Sequence, residues 1–349
     1  MSPDGSGLIA HPFAAPPEPG QAVEVADGIL WMRLPLPMAL DHVNVYALGD
    51  ADGWTLVDTG FDSRKSRAIW EELLAGPLAG RPVARLLVTH HHPDHMGLAG
   101  WFQERGAELL TTRTAWLYAR MLRLDEQERP SPESLAFFHA AGMDAALLEA
   151  RRHQRPFNFA DVVAPMPPTY RRIAEGDRVT LAGRSWRVRC GHGHAPEHAT
   201  LWQEDGALVI AGDQILPGIS PHLGLYPTEP AANPVAEWLA SCRALGAFAR
   251  DGLLVLPGHK LPFTGLGIRL AQLVENHERA LDRLETFLTE PRIAPDCFLT
   301  LFRRTIREAE YGLALSETLA HLNALAAAGR ARRVTDANGV WRWQAAAPP

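Results

Sequence analysis

The fold class that the sequence predicts is α/β, an αββα sandwich with a helical insertion and a small C-terminal domain, and three observations predict it. Strand patterns come in two sets, each followed by a helix pattern, which suits two mixed sheets covered by helices. Between the sets, residues 113–160 read as helix with no strand among them. Beyond residue 262, two helix patterns precede a pair of short strands.

The elements follow in order. Residues 1–20, broken repeatedly by Pro and Gly, read as a poorly ordered lead-in. From Gln21, the runs AVEVA, ILWMRLPL, HVNVYALGD and WTLVDTG read as consecutive antiparallel strands, with turns at Asp27-Gly28 and Asp52-Gly53. Residues 62–75 place Ile69, Leu73 and Leu74 at helical spacing behind an Asp62 or Ser63 cap. VARLLVTH is a buried-strand pattern ending at a histidine cluster. Leu98, Trp101 and Phe102 then return to helical spacing until Gly106, and ELLTT is a further strand. In the insertion, TAWLYARMLRL, SPESLAFFHAAG and MDAALLEARRHQ read as two or three helices separated by Pro130, Pro132 and Gly142; they either cover a site or only embellish the packing. YRRIAEGDRVTLAGRSWRVRCG reads as a hairpin pair turning near Gly176 and Gly183. ATLWQEDGALVIAGD, a helix over 233–247 and the buried strand LLVLPGH complete the second half.

Composition narrows the function. Hydrophobic residues at 46% and charged residues at 21% of 349 are ordinary for a globular chain. The net charge of -6 gives no general attraction to nucleic acid or an anionic membrane. Cys190, Cys242 and Cys297 are odd in number and far apart, which argues against a disulfide framework and for a reducing compartment, the cytoplasm. No apolar run reaches the roughly 20 residues that span a bilayer.

Chemistry concentrates in Thr89-His90-His91-His92-Pro93-Asp94-His95-Met96-Gly97, between the carboxyl end of a buried strand and a helix. Alternate side chains of an extended segment share a face, so His90 and His92 can address one ion while His91 points away, hydrogen-bonded or exposed. Pro93 bends the chain, and Asp94 and His95 can approach a second ion. Imidazole and carboxylate suit zinc. Each ion still lacks ligands, and His194, Asp213 and His259 are the available supply; Asp213 and His259, like His90, end apolar strands. Asp58 ends TLVDTG in the same manner. Cys190 reads as a packed strand residue.

Taken together, His90-x-His92-x-Asp94-His95 followed by His194, Asp213 and His259 resembles the metallo-β-lactamase superfamily over about residues 21–262, with TLVDTG as its first motif. The resemblance implies the αββα fold and a two-metal site. It puts one metal on His90, His92 and His194 and the other on Asp94, His95 and His259, with Asp213 bridging and Asp58 close behind. The family pattern Gly-His-x-Pro-x-His lands on His194, leaving His198 near the site and His192 outside it. Two zinc ions are the expected cofactor, with iron or manganese as alternatives. Two divalent ions sharing a water bring its pKa from about 16 toward neutrality, so hydrolysis is the expected reaction, with Asp94 and Asp213 orienting the nucleophile.

The fold and metals of this superfamily serve many substrates. A small-molecule thioester, ester or lactone is the first expectation. His222 and Tyr226, in the Pro- and Gly-rich loop after Asp213, are candidates for an oxyanion donor or a leaving-group acid. The tail, 263–349, resembles the helical linker and winged-helix domain of a β-lactamase-like subgroup, some members of which cut RNA. A metal-dependent endoribonuclease is therefore the alternative, and an iron persulfide dioxygenase a third. From Phe263 onward 11 Arg and no Lys face 10 acidic residues, a weak basis for nucleic-acid binding, so a packing or homodimerisation role is preferred for the tail.

Overall fold

Two-residue periodicity in the early strands explains how one sheet serves two cores. In β2 (Ile29–Pro35) and β3 (His42–Asp50), Met32, Leu34, Val43, Val45 and Ala47 face one way and Ile29, Trp31, Tyr46 and Leu48 the other, all buried. A computed structural model describes residues 8–346. The chain starts with β1 (Val23–Ala26), and β4 (Gly53–Val57) follows β3, so that β1 to β4 form an antiparallel meander.

The chain continues through α1 (Arg64–Ala75), β5 (Val83–Leu87), α2 (Pro93–Met96), α3 (Ala99–Gln103), β6 (Glu108–Thr111), α4 (Arg113–Leu124), α5 (Pro132–Ala140), α6 (Ala145–His153) and β7 (Arg171–Arg172). The first sheet has the order β1-β2-β3-β4-β5-β6-β7 and is parallel from β4 onward. Its Met32 face packs on Ile69, Trp70 and Leu73 of α1 and on Trp101 and Phe102 of α3. The α1 helix starts where the Ser63 hydroxyl accepts the Ser66 N–H at 3.0 Å, one of the two caps anticipated for it.

The second sheet holds β8 (Arg178–Leu181), β9 (Arg184–Gly191), β10 (His198–Gln203) and β11 (Leu208–Gly212), and, after α7 (Pro234–Gly246), β12 (Leu254–Pro257). Its order is β12-β11-β10-β9-β8, antiparallel except for the β11/β12 pair. Trp186, Val188, Leu201, Ile210 and Leu256 meet Trp31, Tyr46, Leu48 and Leu87 of the first sheet in the core between the sheets. This is the αββα sandwich.

Two compact units account for the chain. The first runs to Glu126 and adds Asn158–Pro221 and Ala244–Leu270; the second is Gln127–Phe157, His222–Arg243 and the chain from Ala271 on. Both sheets belong to the first unit. The 113–160 stretch is helical, but α4 falls in the first unit and α5 and α6 in the second. The second unit also holds most of α8 (Leu266–Phe287), then α9 (Phe298–Phe302), α10 (Tyr311–Ala327) and the hairpin β13 (Ala331–Thr335) with β14 (Trp341–Ala345). The hairpin turns at Asn338-Gly339, where Gly339 takes φ 81°. Within this unit Phe137 of α5 meets Trp341 edge-on, and Arg330 pairs with Asp282 and Glu285 of α8.

Three expectations need correction. In the segment 1–20, residues 1–7 lie outside the described residues. Ala10, however, bridges Thr264, and His11 Nδ1 lies 3.1 Å from the Pro262 carbonyl, so this stretch is docked rather than loose. Gly176 does not turn a hairpin: Arg171 and Arg172 pair with Leu110 and Thr111 of the first sheet, and the chain crosses between sheets there, burying Ile173 in the core between them. The helix expected over CFLTLFRRTI ends early, because Arg303 adopts a left-handed φ of 56°.

Candidate metal centre

Five strand ends build the site. Asp58 follows β4, the histidine cluster follows β5, His194 follows β9, Asp213 follows β11 and His259 follows β12. His90 Nε2, His92 Nδ1 and His194 Nε2 form a triangle with sides of 2.9, 3.0 and 3.3 Å. On the other side His259 Nε2 lies 3.4 Å from Asp94 Oδ2, and His95 Nε2 lies 3.5 Å from the same oxygen. The Asp213 carboxylate stands between the two groups: Oδ2 is 3.1 Å from His259 Nε2 and 3.6 Å from His194 Nε2, and Oδ1 is 3.4 Å from His95 Nε2. His90, His92 and His194, and separately Asp94, His95 and His259, therefore each converge ligand atoms on one point. His192 joins neither group; its Nδ1 accepts the Glu197 N–H at 3.3 Å.

Three of the imidazoles, His90, His95 and His259, are turned inward by a partner on the far nitrogen. His95 Nδ1 donates to Asp58 Oδ2 at 2.8 Å, and His259 Nδ1 donates to the His42 carbonyl at 2.7 Å. Thr89 Oγ1 donates to Asp58 Oδ2 at 2.9 Å and so accepts from His90 Nδ1 at 3.0 Å. Asp58 Oδ1 also takes the Thr89 N–H, at 2.8 Å. One carboxylate thus fixes a ligand candidate in each group. Asp58 itself sits at φ 62°, a region in which Asp is among the better-tolerated side chains.

The last loop is pinned by strand residues. Asn44 Nδ2 donates to the carbonyls of Pro257 at 2.9 Å and Lys260 at 2.8 Å, while its Oδ1 accepts from Trp31 Nε1 and Arg33 Nε, both at 2.9 Å. Tyr46 Oη donates to the Pro257 carbonyl at 2.8 Å. Glycine at 258 leaves room for the Asp213 carboxylate, since a Cβ there would collide with Asp213 Oδ1. His198 Nε2 accepts the Asp213 N–H at 3.0 Å, and its ring stacks on His90 at 4.5 Å between centroids.

The electrostatics differ between the groups. Burial, then the neighbouring imidazoles, push His90 and His92 well below the usual histidine range, so both are neutral donors of a lone pair. Burial would lower His95 and His259 as well, but the Asp213 and Asp94 carboxylates outweigh it, and His259 is held at about 10. Burial would raise Asp213, but His259 and His95 hold it well below the carboxylate range. His90 and His92 are thus uncharged, while the other group is a carboxylate–imidazolium cluster.

These residues fit metal ions. Three imidazole nitrogens in so tight a triangle cannot all satisfy one another by hydrogen bonds, because each carries either a proton or a lone pair. Their spacing is near the roughly 3.3 Å separation that nitrogens about 2.0 Å from a tetrahedral zinc would have. The buried His95 Nε2 and Asp213 Oδ1 lack any hydrogen-bond partner.

The remaining residues sort as follows. His91 is buried against Tyr118, 5.1 Å between ring centroids, and its Nδ1 has no hydrogen-bond partner; it is neither exposed nor hydrogen-bonded at that nitrogen, since α4 covers it. Burial lowers it to about 3. Cys190 is half-buried in β9, and burial pushes its thiol up to about 12, against thiolate character. His222 and Tyr226 belong to the second unit, where His222 Nδ1 lies 3.2 Å from Glu317 Oε2 and its Nε2 3.2 Å from Ser316 Oγ. Sequence reasoning passed over Thr89, His42, Asn44 and Tyr46. An Asn on the inward face of the apolar run HVNVYALGD was the one available signal.

Fold and site together define a metal-dependent hydrolase. Residues 38–290 match the family model described as the metallo-beta-lactamase superfamily, and residues 281–346 match the metallo-beta-lactamase-like C-terminal domain. The chain belongs to the metallo-beta-lactamase superfamily. It is 26% identical over 310 residues to a probable metallo-hydrolase (YqjP) of Bacillus subtilis strain 168, covering 86% of this chain and 93% of that one. Over 262 residues it is 25% identical to an acyl-coenzyme A thioesterase (MBLAC2) of Gallus gallus, covering 72% and 84%. Among solved structures, a beta-lactamase domain protein from Burkholderia ambifaria is 38% identical with a TM-score of 0.89, covering 97% and 98%. A metallo-beta-lactamase family protein from Thermus thermophilus is 28% identical with a TM-score of 0.76, covering 92% and 100%.

Proposed function

We propose that the chain holds two zinc ions and hydrolyses a small-molecule thioester, with ester and lactone hydrolysis as related activities. The observation that carries the reading is the pair of converging ligand groups with the Asp213 carboxylate between them. His90, His92 and His194 would hold one ion and Asp94, His95 and His259 the other. Two divalent ions there supply Lewis acidity, polarising a scissile carbonyl and acidifying a water so that it is nucleophilic at neutral pH. The protein's own part is preorganisation. Asp58, Thr89 and the His42 carbonyl hold His90, His95 and His259 in orientation ahead of substrate. Asp94, facing His95 and His259 from the turn at Pro93, and Asp213 would orient the attacking water.

Support for a thioester comes from the similarity to a relative named an acyl-coenzyme A thioesterase. The balance of 11 Arg against 10 acidic residues from Phe263 onward favours a small molecule over RNA. The test is a panel of acyl thioesters, aryl esters and lactones run beside a single-stranded RNA. Thioester turnover by the native protein, lost in Asp94→Ala, is the expected result. RNA cleavage without turnover on the panel would overturn the reading in favour of a nuclease.

A further inference from the structure

We propose that a cavity on the outer face of the second sheet, in the first unit, binds a phosphate-bearing ligand with a planar ring, the chemistry of a nucleotide. The cavity is about 330 Å³, within the range of small-molecule sites, and is lined by Arg187, Arg189, Trp202, Phe248, Arg250 and Leu253 among others. Strand alternation creates it. Trp186 and Val188 of β9 enter the core between the sheets, so Arg187 and Arg189 project from the opposite face, where Arg187 pairs in register with Trp202 of β10.

The charges are unbalanced in favour of an anion. Glu204, the acidic lining residue, is already engaged by Arg178 at 2.5 and 3.0 Å, by Arg187 at 2.6 and 3.1 Å and by the Ser185 hydroxyl at 2.5 Å. Arg189 and Arg250 form no ion pair among the described residues; Arg250 donates to the Gly206 carbonyl. Arg189 Nε is buried with no hydrogen-bond partner, although Glu175 acts on the guanidinium from a distance. A guanidinium N–H withdrawn from water without an acceptor is costly, and a phosphate is a natural complement to two arginines that lack an ion pair.

The geometry also favours a ring. The Arg189 guanidinium carbon lies 3.1 Å from the centroid of the Phe248 ring, so an aromatic ring backs the cation. Trp202 is held by a 2.9 Å bond from Nε1 to Thr200 Oγ1 and lies 6.2 Å from Phe248. With Leu208 and Leu253 these aromatics make an apolar floor against which a base can lie. None of these residues belongs to the groups converging at the metal centre.

Calorimetric titration of the full-length metal-loaded protein with ADP, pyrophosphate and adenosine tests this. Saturable ADP binding is expected, at least about tenfold tighter than either fragment. Arg189→Gln and Arg250→Gln should each weaken it about tenfold or more, while Asp94→Ala leaves it intact. Arg250 lies on an exposed segment, and circular dichroism of Arg250→Gln separates lost binding from lost fold. No ADP binding at millimolar concentration, or binding unchanged in both arginine variants, would overturn the proposal. Pyrophosphate binding as tightly as ADP would overturn its ring half.

Discussion

Replacing Asp58 by Asn probes whether the centre is held from behind. Asn tolerates the φ of 62° at this position, so the backbone survives. The carboxylate accepts three donors: the Thr89 N–H at 2.8 Å, Thr89 Oγ1 at 2.9 Å and His95 Nδ1 at 2.8 Å. An amide presents one oxygen and one NH2, so at least one of these donors then faces another donor. A hydrogen bond to a charged group contributes roughly 1.5–3 kcal/mol, which translates to about 10- to 100-fold in metal affinity once His95 is free to turn. Competition between the protein and a chromophoric chelator measures that affinity, with circular dichroism as the check on folding. The loss should fall mainly on the ion assigned to Asp94, His95 and His259. A folded Asp58→Asn protein that binds metal within threefold of native at both positions would refute the reasoning.

Three further outcomes follow from the same contacts. Gly258→Ala drives a methyl into Asp213 Oδ1 and places it 2.9 Å from His95 Cε1, so the variant should fold yet retain less metal by elemental analysis than the native protein. Asn44→Ala leaves Trp31 Nε1 buried without a partner and removes one of the two donors to the Lys260 carbonyl, the other being Arg33 Nη2; urea unfolding should report a loss of about 1–3 kcal/mol, accompanied by weaker metal retention through His259. His277 is buried against Trp238 and His321, and burial lowers it to about 3. Its folded value lies below the unfolded one near 6.5, so the stability it contributes is present above pH 6.5 and lost as the pH falls toward 3. His277→Phe should therefore flatten the acid limb of the stability profile by up to about 1.4 kcal/mol per pH unit; an unchanged slope would contradict the burial argument.

Much of the architecture was legible because periodicity and strand ends carry it. The four early strands, α1 and the ligand-bearing ends of β5, β11 and β12 all follow from alternation, capping and the placement of His and Asp after apolar runs. What stayed hidden is what local pattern does not encode. The His42 carbonyl that orients His259 is a backbone group 217 residues away, with no side-chain signature. Arg171 and Arg172 join the first sheet as a two-residue strand, too short to show periodicity. His91 reads as hydrogen-bonded or exposed because it is out of phase with His90 and His92; Tyr118, which covers it, comes from α4, 27 residues further on. His222 and Tyr226 stand out by their position after Asp213, whereas the contacts of His222 with Glu317 and Ser316 depend on α10, nearly 100 residues on.

The central claim is that two ligand groups share Asp213, and counting metal per chain tests it most directly. Elemental analysis of the native protein should give about two zinc per chain, with His259→Ala falling to about one and Asp213→Ala lower still. A single ion per native chain that His259→Ala leaves in place, or iron in place of zinc, would contradict the account.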